Sequence, residues 1–455
     1  MPRIHRRSAE PIGHADPVNP DEAEPVAESG LPAVGPPADS AVVPGPVSSS
    51  APIPLASSFR HPLQGLPREV GVLAAVAFCV AVGFGIVAPA VPVFARSFGV
   101  SRTAAAAVVS TFALLRLVSA PAVGALVNRI GERIVLGTGI AIVAVSSALA
   151  GLSGDYVQLL GLRAAGGVGS AMFSVSASSL LLSATSSAQR GRAMGTMSGG
   201  FLLGGIAGPG LGGFVTGWSL RAPFFLYAGT LAVAGAVGLT MLPRRGAART
   251  GSPAPDRTAV LTVRQAIRLP AFRAAAATNL ADSWAALGVR AAIIPLLVVE
   301  VLHRSPVWTG IGFTIFTLAN IVTLLIGGRL ADSRGRRPLL LVGCLGSCAG
   351  VALLTLPATL PSFLIAMAIF GLGSGLLDVA PGAMLGDVLG GRGGTVVATY
   401  QMAGDLGSLL GPLIAGLLAD QVGFEASFGV TAAVLLIAAV AASRAPETLQ
   451  RSPGS

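Results

Sequence analysis

The sequence predicts an all-α membrane protein of twelve transmembrane helices in two pseudo-symmetric six-helix halves. Three observations carry this. Of 455 residues, 53% are hydrophobic and 11% charged, too apolar a balance for two or three ordinary soluble domains. Apolar runs of about 20 residues, enough to cross a bilayer at 1.5 Å per helical residue, fill most of the chain from residue 71 to 443 and number twelve. Finally, the stretch Gly124–Arg133 (GALVNRIGER) returns 204 residues later as Gly328–Arg337 (GRLADSRGRR). Two more pairs recur in the same order. Gly167–Ala171 returns as Gly371–Gly375, and Gly204, Gly208 and Pro209 return as Gly407, Gly411 and Pro412, so the chain reads as a duplicated module.

The expected spans are 71–95, 103–127, 134–153, 156–183, 194–217, 222–242, 273–301, 308–331, 338–358, 361–386, 395–420 and 424–443. Residues 1–66, rich in Pro, Ala, Ser and Val with an acidic patch at Asp21, Glu22, Glu24 and Glu28, show no periodic apolar face and are expected to form a disordered tail. They contain no apolar signal-peptide core, so the first span is expected to direct insertion. The first half then runs over 67–243, an Arg- and Pro-containing linker over 244–272, the second half over 273–443 and a short tail over 444–455.

All 30 basic residues are Arg, and their placement sets orientation. With the N-terminus in the cytoplasm, loops and tails on that side carry 23 Arg against four opposite (Arg96, Arg102, Arg221 and Arg304). Both termini are therefore expected inside, in a multi-pass protein of the cell membrane. Scattered over short loops, these arginines form no single basic patch, which argues against nucleic acid despite the net charge of +10. Cys79, Cys344 and Cys348 fall inside apolar runs and suggest neither a disulfide framework nor a metal site.

The repeated ten residues resemble the G-x-L-x-D-R-x-G-R-R signature of the major facilitator superfamily, which occupies the turn after the second and eighth helices. Gly328, Leu330, Asp332, Gly335, Arg336 and Arg337 match it. The first copy keeps Gly124, Leu126, Arg129, Gly131 and Arg133 but carries Asn128 for Asp and Glu132 for Arg. The resemblance implies a cytoplasmic gate in which the acidic group faces the positive N-terminal end of a neighbouring helix. Asn128 lacks that charge, a loss of about 0.3–1 kcal/mol.

A second signature refines the resemblance. Gly195, Gly204, Gly208, Pro209, Gly212 and Gly213 reproduce the fifth-helix pattern of the superfamily's drug:proton antiporters. Physically, Gly204, Gly208 and Gly212 form a ridge without side chains, and Pro209 frees a carbonyl one turn earlier, so the segment reads as a packing hinge. Arg163 with Gly167, Gly169 and Ala171 is similar to a fourth-helix motif whose buried Arg is implicated in proton transfer; being always protonated, it would tune a carboxyl group or bind an anion.

An ionisable residue inside a span costs roughly 2.5–3.5 kcal/mol on insertion scales, so each should face a cavity or a partner. The embedded charges are Arg116 and Arg163 in the first half, and Asp282, Arg290, Asp378 and Asp405 in the second. If transport is coupled to protons, the titrating group comes from the three acids, each roughly 12–15 Å deep. They rank as Asp282 (with Asn279 and Trp284 nearby), then Asp405 (one turn after Gln401), then Asp378. The candidate proton-coupling and substrate-binding residues are thus Asp282, Asp405, Asp378, Arg116, Arg163, Trp284, Tyr400 and Gln401.

The chain is read as a secondary active transporter, a proton-coupled exporter of lipophilic small molecules such as drugs or secondary metabolites. The alternative is a proton-coupled importer of a sugar, amino acid or organic acid. An enzyme is not expected, because His5, His14, His61 and His303 lie in the tail or an outer loop, away from any buried catalytic cluster. No cofactor or metal is called for, and the chain has no Lys to complete a nucleotide-binding loop. The expected partners are a small-molecule substrate, protons and the lipid bilayer, with the chain acting as a monomer.

Overall fold

The computed structural model describes residues 66–186, 189–242, 262–357, 359–389 and 394–449; the expected N-terminal tail and most of the linker lie outside them. Twelve helices among these are long and apolar enough to cross a membrane. They are α1 (Arg68–Arg96), α2 (Arg102–Ile130), α3 (Glu132–Leu152), α4 (Tyr156–Ala184), α5 (Arg192–Trp218), α6 (Ala222–Met241), α7 (Pro270–Val301), α8 (Val307–Arg334), α9 (Arg336–Leu353), α10 (Leu360–Leu389), α11 (Val396–Gln421) and α12 (Phe424–Ser443). A six-residue helix, Val263–Arg268, precedes α7 and starts at a reciprocal cap between Thr262 and Gln265.

Three spans are irregular in ways that hydropathy does not reveal. The α-helix of α1 stops at Val87 and resumes at Ala90, α10 breaks between Leu377 and Ala380, and α7 contains π-helical turns over Ser283–Val289 and Leu297–Val301. Pro89 stands at the break of α1, and Pro295 lies in the short α-helical segment Ile294–Leu296 between the two π-helical turns of α7; each lacks a backbone donor for the ladder.

The two halves repeat one packing scheme. In the first, α1 packs on α5 and α6, α3 on α4 and α6, and α2 on α4; in the second, α7 packs on α11 and α12, α9 on α10 and α12, and α8 on α10. Between the halves, α2 meets α11 and α5 meets α8, again an equivalent pair.

Glycines make the closest of these approaches possible. Along α5, Gly200, Gly204, Gly208 and Gly212 abut the α1 backbone at Ala74, Phe78, Val82 and Ile86, one helical turn per step. A Cβ on Gly208 would stand 2.6 Å from the Val82 carbonyl oxygen. Gly213 turns to the other half, where its Cβ would lie 2.5 Å from the Gly310 Cα on α8; at the equivalent crossing a Cβ on Gly416 would lie 2.9 Å from Ala106 Cβ. Gly195, by contrast, has open space around it. We expect Gly204→Val to lower the thermal midpoint of the purified protein by several degrees and Gly195→Val to leave it within about 1–2 °C, the usual small effect of a substitution without a packing partner, as read by a thermal-shift measurement.

Candidate functional site

The breaks in α7 and α10 fall where the embedded carboxylates sit. Asp282 is the last residue before the first π-helical turn of α7, and Asp378 ends the first segment of α10. Asp282 is buried and its Oδ1 accepts a 2.8 Å hydrogen bond from Ser374 Oγ, one turn before Asp378. Asp378 Oδ2 accepts another of 2.8 Å from Asn320 Nδ2 on α8. The two carboxylates lie within electrostatic reach of each other and of Arg290.

Arg290 enters from the far end of the same π-helical turn. Its Nε donates to the Ala286 carbonyl at 2.9 Å, and its guanidinium stacks over Phe313 and Phe316 with its carbon 4.7 and 4.3 Å from their ring centres. No direct ion pair forms with either acid among the described residues; the aromatic faces hold the cation beside them, each such contact contributing about 1–2 kcal/mol when desolvated. Tyr400 stands in electrostatic range of both carboxylates, while its carbonyl accepts a 2.9 Å hydrogen bond from Asn279 Nδ2. Two acids, one base, two hydrogen-bonding polar side chains and a phenol therefore converge between α7, α8, α10 and α11.

The other sequence-predicted residues fall elsewhere. Asp405 does not share the pair's site; its described charged neighbour is Arg116, across the junction of the halves. Trp284, expected near Asp282, points to α12, where its indole Nε1 lies 3.3 Å from Thr431 Oγ1, because residues two apart on a helix face opposite sides. Gln401 is exposed on α11. Arg163 is buried in the first half, its guanidinium carbon 4.6 Å from the Phe112 ring centre and its Nε without a hydrogen-bond partner.

At the end of the bundle carrying Arg96 and Arg102, the halves are fastened together. Glu300, in the last turn of α7, takes Arg96 Nε on one oxygen and Arg102 Nε on the other, each at 2.7 Å. From α11, Asp420 accepts the backbone N–H groups of Arg102 and Thr103 at 2.9 and 2.8 Å, capping α2 across the junction, and Arg102 also donates to the Ala419 carbonyl at 2.7 Å. Deeper in, Ser110 Oγ donates to the Leu409 carbonyl at 2.8 Å. All inter-half hydrogen bonds and ion pairs found between described residues lie on this side. Partly exposed contacts of this kind contribute on the order of 1 kcal/mol each, so the closure is firm but reversible.

The repeated glycine-arginine turns occupy the opposite end and behave differently from each other. Asp332 is largely exposed and pairs with Arg336 at 3.2 Å; it does not cap a helix. The start of α9 is capped instead by Glu447, which follows α12 and accepts from Arg336 N at 2.9 Å and Arg337 N at 3.1 Å. A positive φ of 103° at Gly335 brings the chain against that carboxylate. Arg336 also reaches Asp387, its Nε 3.0 Å from Oδ2 but off the line of a hydrogen bond, so the contact is ionic. In the first copy Asn128 and Arg129 are exposed, Gly124 and Gly328 face open space, and Gly131 has φ 90°. Partial burial favours the neutral form of Glu447, but four backbone N–H donors outweigh it and hold its pKa below the ordinary 4.5.

Comparison with known proteins fits this architecture. The sequence model described as Major Facilitator Superfamily matches residues 73–289 and 276–454. The chain belongs to the major facilitator superfamily. It is 26% identical over 389 residues to multidrug resistance protein 1 of Bacillus subtilis, a match covering 82% of this chain and 96% of that one. It is 37% identical over 129 residues to multidrug resistance protein MdtG of Serratia proteamaculans; that match spans 28% of this chain and 31% of the relative, under a third of its length. Among solved structures, an inward-facing bacterial homologue of the human lysosomal transporter Spinster superposes with a TM-score of 0.69 at 16% identity, covering 85% of this chain and 98% of that one. The human organic anion transporter MFSD10 gives 0.60 at 19% identity, covering 83% and 100%. At these identities the structures report the fold alone.

Arg290, Ser374 and Asn320 were missing from the sequence-based site. Arg290 showed as an embedded charge, and Asn320 lies 204 residues after Arg116, so the repeat offset itself pointed to it.

Two predictions follow from this geometry. Glu300→Gln removes the charge from both ionic contacts, to Arg96 and Arg102, together about 1 kcal/mol, and should accelerate alkylation of a cysteine placed at the buried Ala106 about fivefold, in a background with Cys79, Cys344 and Cys348 changed to Ser. For Glu447 the folded pKa is depressed, so its stabilisation is present above pH 4.5 and is lost as pH falls through the folded value. Glu447→Ala should therefore lower the thermal midpoint near neutral pH, with the gap to the parent closing in acid.

Proposed function

We propose that this transporter exports lipophilic, cationic small molecules, drugs or secondary metabolites, in exchange for protons. The observation that carries the reading is the charge count in the second half: two carboxylates, Asp282 and Asp378, face one guanidinium, Arg290, in a buried setting. One negative charge is left over. A proton neutralises it on one side of the cycle, and a substrate cation neutralises it on the other, so loading of either disfavours the other. The names of the relatives, multidrug resistance proteins and the quinolone resistance protein NorA of Staphylococcus aureus, support a drug-like substrate.

Alternating access follows from the same geometry. The Glu300 side joins the halves, and the inter-half hydrogen bonds between described residues reach no deeper than Ser110 and Leu409. With the Arg-rich loops placed in the cytoplasm by the positive-inside rule, this is an inward-facing state of a cell-membrane protein with both termini inside. Asp405 and Arg116, just beyond Leu409 and Ser110 on their helices, act as the electrostatic link across the point where the halves part. The glycine-lined crossings of α2 with α11 and of α5 with α8 let the halves rock about them. Every residue of the site comes from the second half of one chain, so a monomer suffices.

The test is proton-driven uptake of ethidium into proteoliposomes with an imposed pH gradient. Asp282→Asn and Asp378→Asn should each reduce coupled uptake at least about tenfold, the scale of losing about 1.4 kcal/mol at the site; unchanged coupling in both variants sinks the assignment. Arg290→Gln should keep binding the dye while losing the pH dependence of its release.

A further inference from the structure

We propose that the first half carries a binding site for the anionic headgroup of a membrane phospholipid, in the cleft lined by Arg68, Glu69, Arg133 and the end of α6. The cleft has a volume of about 690 Å³ and lies where α1 and α3 begin and α6 ends, at the level of the membrane surface. Two guanidinium groups face one carboxylate there. Leu239 and Met241 on the same wall are largely exposed, as is Ile134 beside Arg133, so apolar surface suited to the glycerol and upper acyl region adjoins the charged groups.

The repeat shows what such a place is built to hold. Arg133 donates to the Leu239 carbonyl near the end of α6; 204 residues on, Arg337 donates to the Ser443 carbonyl at the end of α12 at 2.5 Å. The two arginines do the same structural work, each tying the start of one helix to the end of another. In the second half an oxyanion completes the arrangement, because Glu447 lays its carboxylate on the backbone N–H groups of Arg336 and Arg337. The residue 204 places before Glu447 is Pro243, which has no carboxylate to offer. Glu132, the acid next to Arg133, is engaged by Ser179 Oγ at 3.3 Å on α4. Among the described residues no oxyanion takes the equivalent position in the first half, and a cleft is found there instead. A phosphodiester brings the missing oxygens, and its position at the bilayer surface favours a lipid over a soluble anion.

The experiment is native mass spectrometry of the full chain, released from detergent supplemented with phosphatidylglycerol or phosphatidylcholine of equal chain length. The parent should retain phosphatidylglycerol preferentially. Arg68→Gln and Arg133→Gln should each lower that retention about fivefold, the usual weight of one arginine at an anionic surface. Arg337→Gln, which loses the same helix-end contact without touching the cleft, should retain lipid as the parent does. Arg68 is exposed, so its variant keeps the test valid should Arg133→Gln fold poorly. Equal retention of the two lipids overturns the proposal, as does parent-like retention in both Arg68→Gln and Arg133→Gln. Release of phosphatidylglycerol by millimolar inorganic phosphate also overturns it, by showing a site for a small soluble anion.

Discussion

A charge in the hydrocarbon core has no water to answer it, and the interior of this protein is organised around that constraint. Six ionisable side chains are embedded in the spans, each with an insertion cost of roughly 2.5–3.5 kcal/mol before any partner is found. The protein meets that cost in three ways. Asp282 and Asp378 receive hydroxyl and amide donors, Ser374 and Asn320, from neighbouring helices. Arg290 and Arg163 are laid on aromatic faces, and Arg116 and Asp405 face one another across the junction of the halves. None of the six has a direct ion pair among the described residues, so none is neutralised outright. A site with fully formed pairs would be stable and inert; one with near pairs can exchange a partner.

The repeat accounts for much of this pattern and also for its asymmetry. Phe112 and Phe316 stand 204 residues apart, and each lies beneath a guanidinium, yet Arg163 reaches the first from α4 whereas Arg290 reaches the second from α7. Arg116 corresponds to Asn320, a cation in one half and an amide in the other. The duplicated backbone therefore preserves the receptive surface, an aromatic floor and a polar position one turn away, while the charges are dealt differently. Asn320 donates to Asp378 within the second half, whereas Arg116 at the corresponding position of the first half acts across the junction on Asp405.

The fold was legible in the sequence because a membrane imposes a simple code: apolar runs of the right length, arginines at one set of loops and glycines where backbones touch. Helix ends came within a few residues, and the Gly204, Gly208 and Gly212 ridge lies against α1 as its spacing implied. The site was only partly legible. Asp282, Asp378 and Tyr400 stood out as charged or polar residues in apolar runs, but closeness in sequence to Asp282 did not put Trp284 on its side of α7, since residues two apart on a helix face opposite ways. Depth counted along a straight helix placed Asp405 with the other acids; it carries no information about which face of the bundle a residue joins. The contacts of Glu447 and Glu300 were invisible in the sequence because their partners are distant, at Arg336 and at Arg96 with Arg102.

Helix α7 connects these elements physically. Asp282 and Arg290 bracket its first π-helical turn, and Glu300 sits in its second. Each such turn holds one residue more than an α-helical turn, so tightening the first rotates Arg290 relative to Asp282 and shifts the segment carrying Glu300. The energies are matched for this. The contacts at the Glu300 side number only a few, on the order of 1 kcal/mol each, while a proton or cation at a buried carboxylate pair exchanges interactions of a few kcal/mol. In the exchange we propose, an occupant that favours one winding of α7 would bias the closure at its far end, and a closure that favours one winding would bias which occupant the carboxylates accept. Reciprocity of that kind is required of any exchanger, and a single irregular helix spanning both places is sufficient to supply it.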